Sequence, residues 1–178
     1  MAEKEELWDL YDKNRRPLGI VAPRGKPLPP GAFFLAVAIW VVNSAGQLLV
    51  TLRAPEKENW AGYWENTGGA VQAGENSLQA AVRELREETG ITAAPADLRL
   101  LGSTQWRQGF MDIYLCHADI PMENIRLQPG ETAGAQWVTL AELDAMAADG
   151  RLAGPVALRL RQMHRGLEQF VEACQKQD

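Results

Sequence analysis

The sequence of 178 residues has few cysteines, few histidines and no long apolar run. Its two cysteines, Cys116 and Cys174, are far apart and fit no metal-binding spacing, so we expect reduced thiols in a cytoplasmic protein. Its two histidines, His117 and His164, are too few for a histidine-rich metal site. The most apolar run, residues 31–42, is too short to cross a bilayer and predicts a buried strand.

Basic residues are also scarce, with 18 Lys and Arg against 23 Asp and Glu and a net charge of −5. Proteins that bind long nucleic acids are usually basic, so long DNA or RNA is not an expected partner. The polar, acidic N-terminus MAEKEELWDLYDK does not look like a signal peptide, and no membrane association is expected. The length and a hydrophobic content of 46% favour one globular domain over residues 1–178.

Hydrophobic periodicity predicts a mixed α/β (α+β) fold. Strands are predicted at 6–12, 17–23, 32–42, 47–54, 98–106, 111–120 and 136–140, with an aromatic loop at 60–70. Helices are predicted at 76–89, 140–149 and 155–174. The order of strands, helix, strands and helices favours a sandwich in which helices cover a mixed sheet.

The predicted helix 76–89 carries three close carboxylates, Glu84, Glu87 and Glu88, which we call the glutamate cluster. Leu78, Ala81, Val82 and Leu85 form the apolar stripe of this helix, and the cluster projects from another side at i, i+3 and i+4 spacing. An acidic surface patch is the common explanation of such a run. The alternative is a site for Mg²⁺ or Mn²⁺, which prefer carboxylate oxygens.

The residues around the cluster favour the metal site. Gly69 is followed after five residues by Glu75, and after seven more by RELREETGI, from Arg83 to Ile91. This pattern matches the Nudix box, here residues 69–91, at every fixed position. The sequence therefore resembles the Nudix hydrolase superfamily, which has an α/β/α sandwich with a mixed sheet and a loop–helix–loop motif.

The resemblance implies a metal-dependent hydrolase. Glu84, Glu87, Glu88 and the backbone carbonyl of Gly69 would bind Mg²⁺ or Mn²⁺, while Glu75 and Arg83 would orient the cluster. The implied reaction is hydrolysis of a pyrophosphate bond in a nucleoside diphosphate linked to another group. In physical terms, a dication screens the phosphates and lowers the pKa of water.

Other roles in the site stay open at the level of sequence. The group that takes the proton from water is Glu84, Glu87 or, from a later loop, Glu131, which is equally explained as an exposed loop acid. Arg53 is a candidate phosphate contact or a structural ion pair. Trp64 and Trp106 are candidates for stacking on a flat group of the substrate, with core packing as the alternative.

Residues 6–91 also resemble the Nudix branch related to isopentenyl diphosphate isomerase, through WDLYD, LLVTLRAPEKE and GYWENTGGAVQAGE. That isomerase uses a cysteine just before the box and a metal site with histidines, and this loop has neither. Hydrolysis is therefore the expected reaction, with isomerisation or nucleotide sensing without turnover as alternatives. Many relatives form homodimers, so a homodimer is a further expectation.

Overall fold

The computed structural model describes residues 6–176 and contains a mixed sheet between two helical layers. This confirms the predicted α/β/α sandwich. The strands are β1 (Leu7–Tyr11), β2 (Pro17–Pro23), β3 (Phe34–Val42), β4 (Gln47–Arg53), β5 (Trp64–Glu65), β6 (Thr67–Ala70), β7 (Leu98–Trp106), β8 (Gly109–His117) and β9 (Thr132–Thr139). The helices are α1 (Ser77–Thr89), α2 (Leu140–Ala148) and α3 (Gly154–Cys174).

Strand β3 lies at the centre of the seven-stranded sheet and pairs with three other strands. It runs parallel to β8 along its whole length and antiparallel to β6. With β4 it shares a single residue pair, Val42 with Leu48, after which β4 pairs with β5 and β9. The predicted hairpin of 32–42 and 47–54 is therefore paired only next to its turn. Beyond this pair the two strands separate, which we call the fork between β3 and β4.

The side chains of β3 alternate between two hydrophobic cores, as expected for a strand buried on both faces. Val37, Ile39 and Val41 pack beneath α1 together with Ala81 and Leu85. On the opposite face, Ala38, Trp40 and Val42 pack with residues of α2 and α3, among them Leu143, Leu160 and Leu167. The central sheet thus fixes where α1 lies.

Strands β1 and β2 form a separate two-stranded sheet, the N-terminal hairpin. In its turn, Arg15 donates two hydrogen bonds of 2.8 Å to the carboxylate of Asp112 on β8. At its other end, the carbonyl of Leu7 accepts from Ala73 N at 2.7 Å, and Asp9 accepts from Gly74 N at 2.7 Å. The hairpin is therefore attached to the central sheet and to the loop that precedes α1.

The segment 60–70, predicted as a loop, contains the short strands β5 and β6. Two-residue and glycine-rich strands carry no alternating pattern, so periodicity does not detect them. Within residues 6–176, no helix has the length and apolar character needed to span a membrane.

Candidate active site

Helix α1 has clear start and stop signals. The Asn76 side chain accepts from Gln79 N at 2.9 Å, and the Gln79 side chain accepts from Asn76 N at 2.9 Å, which completes a capping box. Gly90 ends the helix in the left-handed conformation, with φ of 75° and its N–H bonded to the carbonyl of Arg86. These caps match the predicted helix 76–89 and its stop at Gly90.

The members of the glutamate cluster differ in burial. Glu88 is buried and its carboxylate accepts from Gly68 N at 3.1 Å. The side chain of Glu84 is 12% exposed and that of Glu87 is 40% exposed. The Glu84 carboxylate lies directly against Gly69, where an added Cβ would overlap it. Glycine at 69 therefore allows the backbone of β6 to approach this carboxylate.

Arg83 joins the cluster to the preceding loop. Its guanidinium donates to Glu75 at 2.7 and 2.9 Å, to Glu84 at 2.7 Å and to Glu87 at 3.1 Å. It also donates to the carbonyl of Ala70 at 3.0 Å. The structure thus brings together the predicted orienting residues and two members of the cluster around one planar cation.

Two carboxyl groups of the cluster have raised pKa values. Burial raises the pKa of Glu88 well above its usual value, and the charges of Glu84, Glu65 and Glu131 raise it further. Burial also raises the pKa of Glu84, although Arg83 opposes the shift. Carboxylates buried this close to one another are more stable when a cation is present.

The carboxylate oxygens of the cluster suit a hard dication such as Mg²⁺. In this structure, however, the side chains do not surround a metal position. Among residues 6–176, no three His, Cys, Asp or Glu side chains converge as a metal site. Arg83 bonds to one oxygen of Glu84 and one of Glu87, which leaves the other oxygen of each carboxylate for a metal. Binding of a metal by the cluster therefore requires these free oxygens to turn toward a common position.

A cleft of about 400 Å³ has a lining to which no member of the glutamate cluster belongs. Charged and polar side chains line it: Arg24, Arg53, Lys57, Glu56, Glu58, Glu131 and Asn59. Arg53 is paired with Glu65 at 2.6 Å, and Lys57 is paired with Glu131. The hydrogen bond to Glu6 raises the pKa of Arg24, and the nearby charges of Glu131 and Glu84 add to this effect. The cleft and the cluster therefore share one electrostatic environment.

The candidate residues fall into two groups. Arg53 and Glu131 line the cleft, as their candidate roles require. Trp64 packs against the core beneath α3, and Trp106 makes an edge contact with Phe34 at 5.5 Å between ring centroids. Neither tryptophan lines the cleft.

Sequence reasoning missed Arg24, Lys57 and Glu65. Lys57 and Glu131 are 74 residues apart, and no local pattern predicts such a pair. Glu65 follows Trp64 in a segment predicted as a loop. The sequence gives one local indication that Glu65 lies near the site, which is its position shortly before Gly68 and Gly69.

Comparisons of sequence agree with the geometry. The NUDIX domain family matches residues 32–158. The chain is 37% identical to an uncharacterized Nudix hydrolase of Listeria monocytogenes over 146 residues, which are 82% of this chain and 86% of that protein. It is 31% identical to an isopentenyl-diphosphate Delta-isomerase of Pectobacterium atrosepticum over 142 residues, 75% of this chain and 76% of that protein.

Solved structures show the same fold. The crystal structure of DR0079 from Deinococcus radiodurans superposes with a TM-score of 0.74 and 27% identity, covering 89% of this chain and 99% of that one. The NUDIX domain of Shewanella oneidensis NrtR, solved with ADP ribose, superposes with a TM-score of 0.60 and 19% identity, covering 78% and 92%. At that identity the second likeness concerns the fold alone.

Proposed function

The chain belongs to the Nudix hydrolase family, and we propose that it hydrolyses a pyrophosphate bond in a nucleoside diphosphate linked to another group, with Mg²⁺ or Mn²⁺ as cofactor. The observation that carries this proposal is the glutamate cluster, packed against Gly68 and Gly69 and held by Arg83. An ordinary acidic surface patch would not bury Glu88 or need glycine at 69.

The residues that would hold the metal are Glu84, Glu87, Glu88 and the carbonyl of Gly69. A bound dication would screen the charge of the diphosphate and make water more acidic. Arg83 bonds to Glu84 and Glu87 and is itself held by two bonds to Glu75. Glu75 and Arg83 therefore act as positioning residues in this proposal.

Glu131 supports the proposal as a candidate proton acceptor, because it lines the cleft from the turn before β9. In this structure the Glu131 carboxylate forms an ion pair with Lys57. A substrate phosphate that attracts Lys57 would free Glu131 to accept a proton from water. Glu84 and Glu87 remain the alternative acceptors, and the Glu131→Gln variant below tests Glu131 against them.

Isomerisation of a prenyl diphosphate is less well supported, despite the similarity to isomerases. Both cysteines are buried in the cores, so neither thiol faces the cleft. His117 contacts Ser44 and His164 contacts Asp144, and neither histidine lines the cleft. The lining also includes no apolar side chain against which a prenyl chain could pack.

A substrate panel with Mg²⁺ or Mn²⁺ tests the proposal. ADP-ribose belongs in it, given the ligand of the NrtR domain, along with nucleoside triphosphates, dinucleotides and isopentenyl diphosphate. We expect metal-dependent release of a nucleoside monophosphate or phosphate, lost in Glu84→Gln and Glu87→Gln. Loss of release in Glu131→Gln with unchanged metal affinity would identify Glu131 as the proton acceptor.

The control is Glu168→Gln, an exposed substitution on α3. Tight nucleotide binding without turnover would indicate a sensor. Conversion of isopentenyl diphosphate to its isomer would indicate the isomerase. Either result would refute the hydrolase reaction.

A further inference from the structure

The N-terminal hairpin contributes one residue to the cleft. Arg24 follows β2 directly and lines the cleft with Arg53 and Lys57. The NUDIX domain match begins at residue 32, so Arg24 lies before the matched region. The hairpin therefore adds a cation to a cleft whose other lining residues lie within the matched region.

The three cations of the cleft differ in exposure. The side chain of Arg53 is 19% exposed and that of Lys57 is 17% exposed, while that of Arg24 is 57% exposed. Within residues 6–176, the one side-chain hydrogen bond of Arg24 goes to Glu6, at 2.6 Å. Most N–H donors of its guanidinium are thus free for a ligand at the mouth of the cleft.

The position of Arg24 is fixed by its surroundings. Its backbone N–H bonds to the carbonyl of Glu6 at 2.8 Å, at the end of the hairpin that is attached to the loop before α1. The turn at the other end is held by the paired Arg15 and Asp112. A guanidinium on an anchored strand end loses less freedom on binding than one on a free tail.

The lining selects the chemistry of the ligand. Its members are charged or polar apart from Gly130, so the cleft has no ring on which a nucleobase could stack. The exposed Glu56 and Glu58 can accept hydrogen bonds from hydroxyl groups, and guanidinium groups bind phosphate in two-point geometry. A phosphate-bearing, non-aromatic group therefore fits this space.

Building on the proposed function, we infer that Arg24 is a specificity-determining residue that binds a further phosphate of the substrate, next to the diphosphate that is cleaved. Substrates with this additional phosphate are preferred over those that end in a neutral group. The exposed pair with Glu6 is weak enough to open when the phosphate enters.

The test compares two probes that differ by one phosphate, inorganic pyrophosphate and inorganic tripolyphosphate. Their binding to the full chain in the presence of Mg²⁺ is measured by calorimetry. We expect wild type to bind tripolyphosphate more tightly, and Arg24→Gln to lose about three- to tenfold of that affinity. Pyrophosphate affinity should change less than about twofold, and Arg24→Lys should keep part of the difference.

Arg16→Gln is the matched control, because Arg16 is an exposed arginine of the same hairpin outside the cleft. An equal loss for both probes, no loss in Arg24→Gln, or no binding of either probe to wild type would overturn the inference. The proposed function is judged separately, by turnover of the substrate panel by wild type. Turnover without an effect of Arg24→Gln refutes only the role of Arg24, while a selective effect on the probes without turnover refutes only hydrolysis.

Discussion

Arg83 and Glu75 face each other in a two-point ion pair, with Nε to Oε1 at 2.7 Å and Nη2 to Oε2 at 2.9 Å. The pair joins the middle of α1 to the loop before it. Burial raises the pKa of Glu75, but the hydrogen bonds from Arg83 and from Gln72 N outweigh burial and leave the pKa lowered. Glu75 therefore stays ionised and keeps Arg83 beside the glutamate cluster.

Substitution of Glu75 tests this positioning role. Glu75→Gln removes the charge that holds Arg83, so the guanidinium is expected to bind the cluster more tightly and compete with the metal. We expect metal affinity and kcat to fall about 10- to 100-fold, as for other residues that orient metal ligands. Glu75→Asp should restore part of both, and the exposed Glu123→Gln should change neither. Unchanged metal affinity in Glu75→Gln would contradict the role.

Gly69→Ala tests the close approach between β6 and α1. The added methyl group would overlap the Glu84 carboxylate, which ends a flexible side chain and can move aside. We therefore expect a loss of less than about 1 kcal/mol in the free energy of unfolding, together with weaker metal binding. The control is Gly134→Ala on β9, where the nearest atom to the new Cβ is Leu52 Cβ at 3.6 Å. Denaturant titration and calorimetry measure both effects, and a metal affinity equal to that of Gly134→Ala would contradict the prediction.

The link between Asp112 and Arg15 predicts a dependence of stability on pH. Burial raises the pKa of Asp112, but hydrogen bonds from Arg15 and Ser103 outweigh burial and leave it below the ordinary 3.8. The folded protein therefore releases this proton more easily than the unfolded chain. The resulting stabilisation is complete well above pH 4 and is lost as the pH falls through the lowered value.

Asp112→Asn should thus lower the free energy of unfolding by about 1–3 kcal/mol at pH 7. The difference from wild type should shrink at pH 3, below the ordinary value of 3.8, because the unfolded wild-type chain then binds a proton at this carboxylate. The control is Asp149→Asn, whose partner Arg151 is exposed, and which should cost less than about 0.5 kcal/mol. Urea titrations at both pH values measure this, and a difference that does not vary with pH would exclude the mechanism.

Leu85→Ala tests whether the core beneath α1 supports the site. Leu85 is fully buried between α1 and β3, so its truncation should cost about 2–5 kcal/mol of stability. Leu158→Ala on α3 removes the same atoms from a side chain that is 50% exposed and should cost much less. Thermal unfolding gives both values. A similar cost for the two variants would show that α1 is not held by this contact.

Much of the fold follows from local sequence patterns. Helix α1 was predictable because Asn76, the apolar stripe and Gly90 mark its start, face and end within a short segment. The partner of β3 was not predictable, because the choice of β6 over β4 depends on contacts between distant residues. Strands β5 and β6 escaped detection for want of an alternating pattern.

The site, like the fold, is predicted from local sequence only in part. The composition and spacing of residues 69–91 predict the glutamate cluster, and the structure brings Glu75 and Arg83 to it. The cleft joins residues from three separate segments, around Arg24, Lys57 and Glu131. Charged residues in exposed loops show no hydrophobic periodicity. The sequence therefore does not predict that these three segments lie together, and only the structure shows it.

The fork between β3 and β4 leaves residues 55–63 outside the two hydrophobic cores. Residues 58–62 are exposed, while the hydrophobic cores lie within the sandwich on either side of the sheet. Insertions, deletions and charge reversals in this segment can therefore reshape the cleft at little cost to folding. Evolution of new substrate preferences in related chains is expected to concentrate there, while α1 and its glycine pair stay constant.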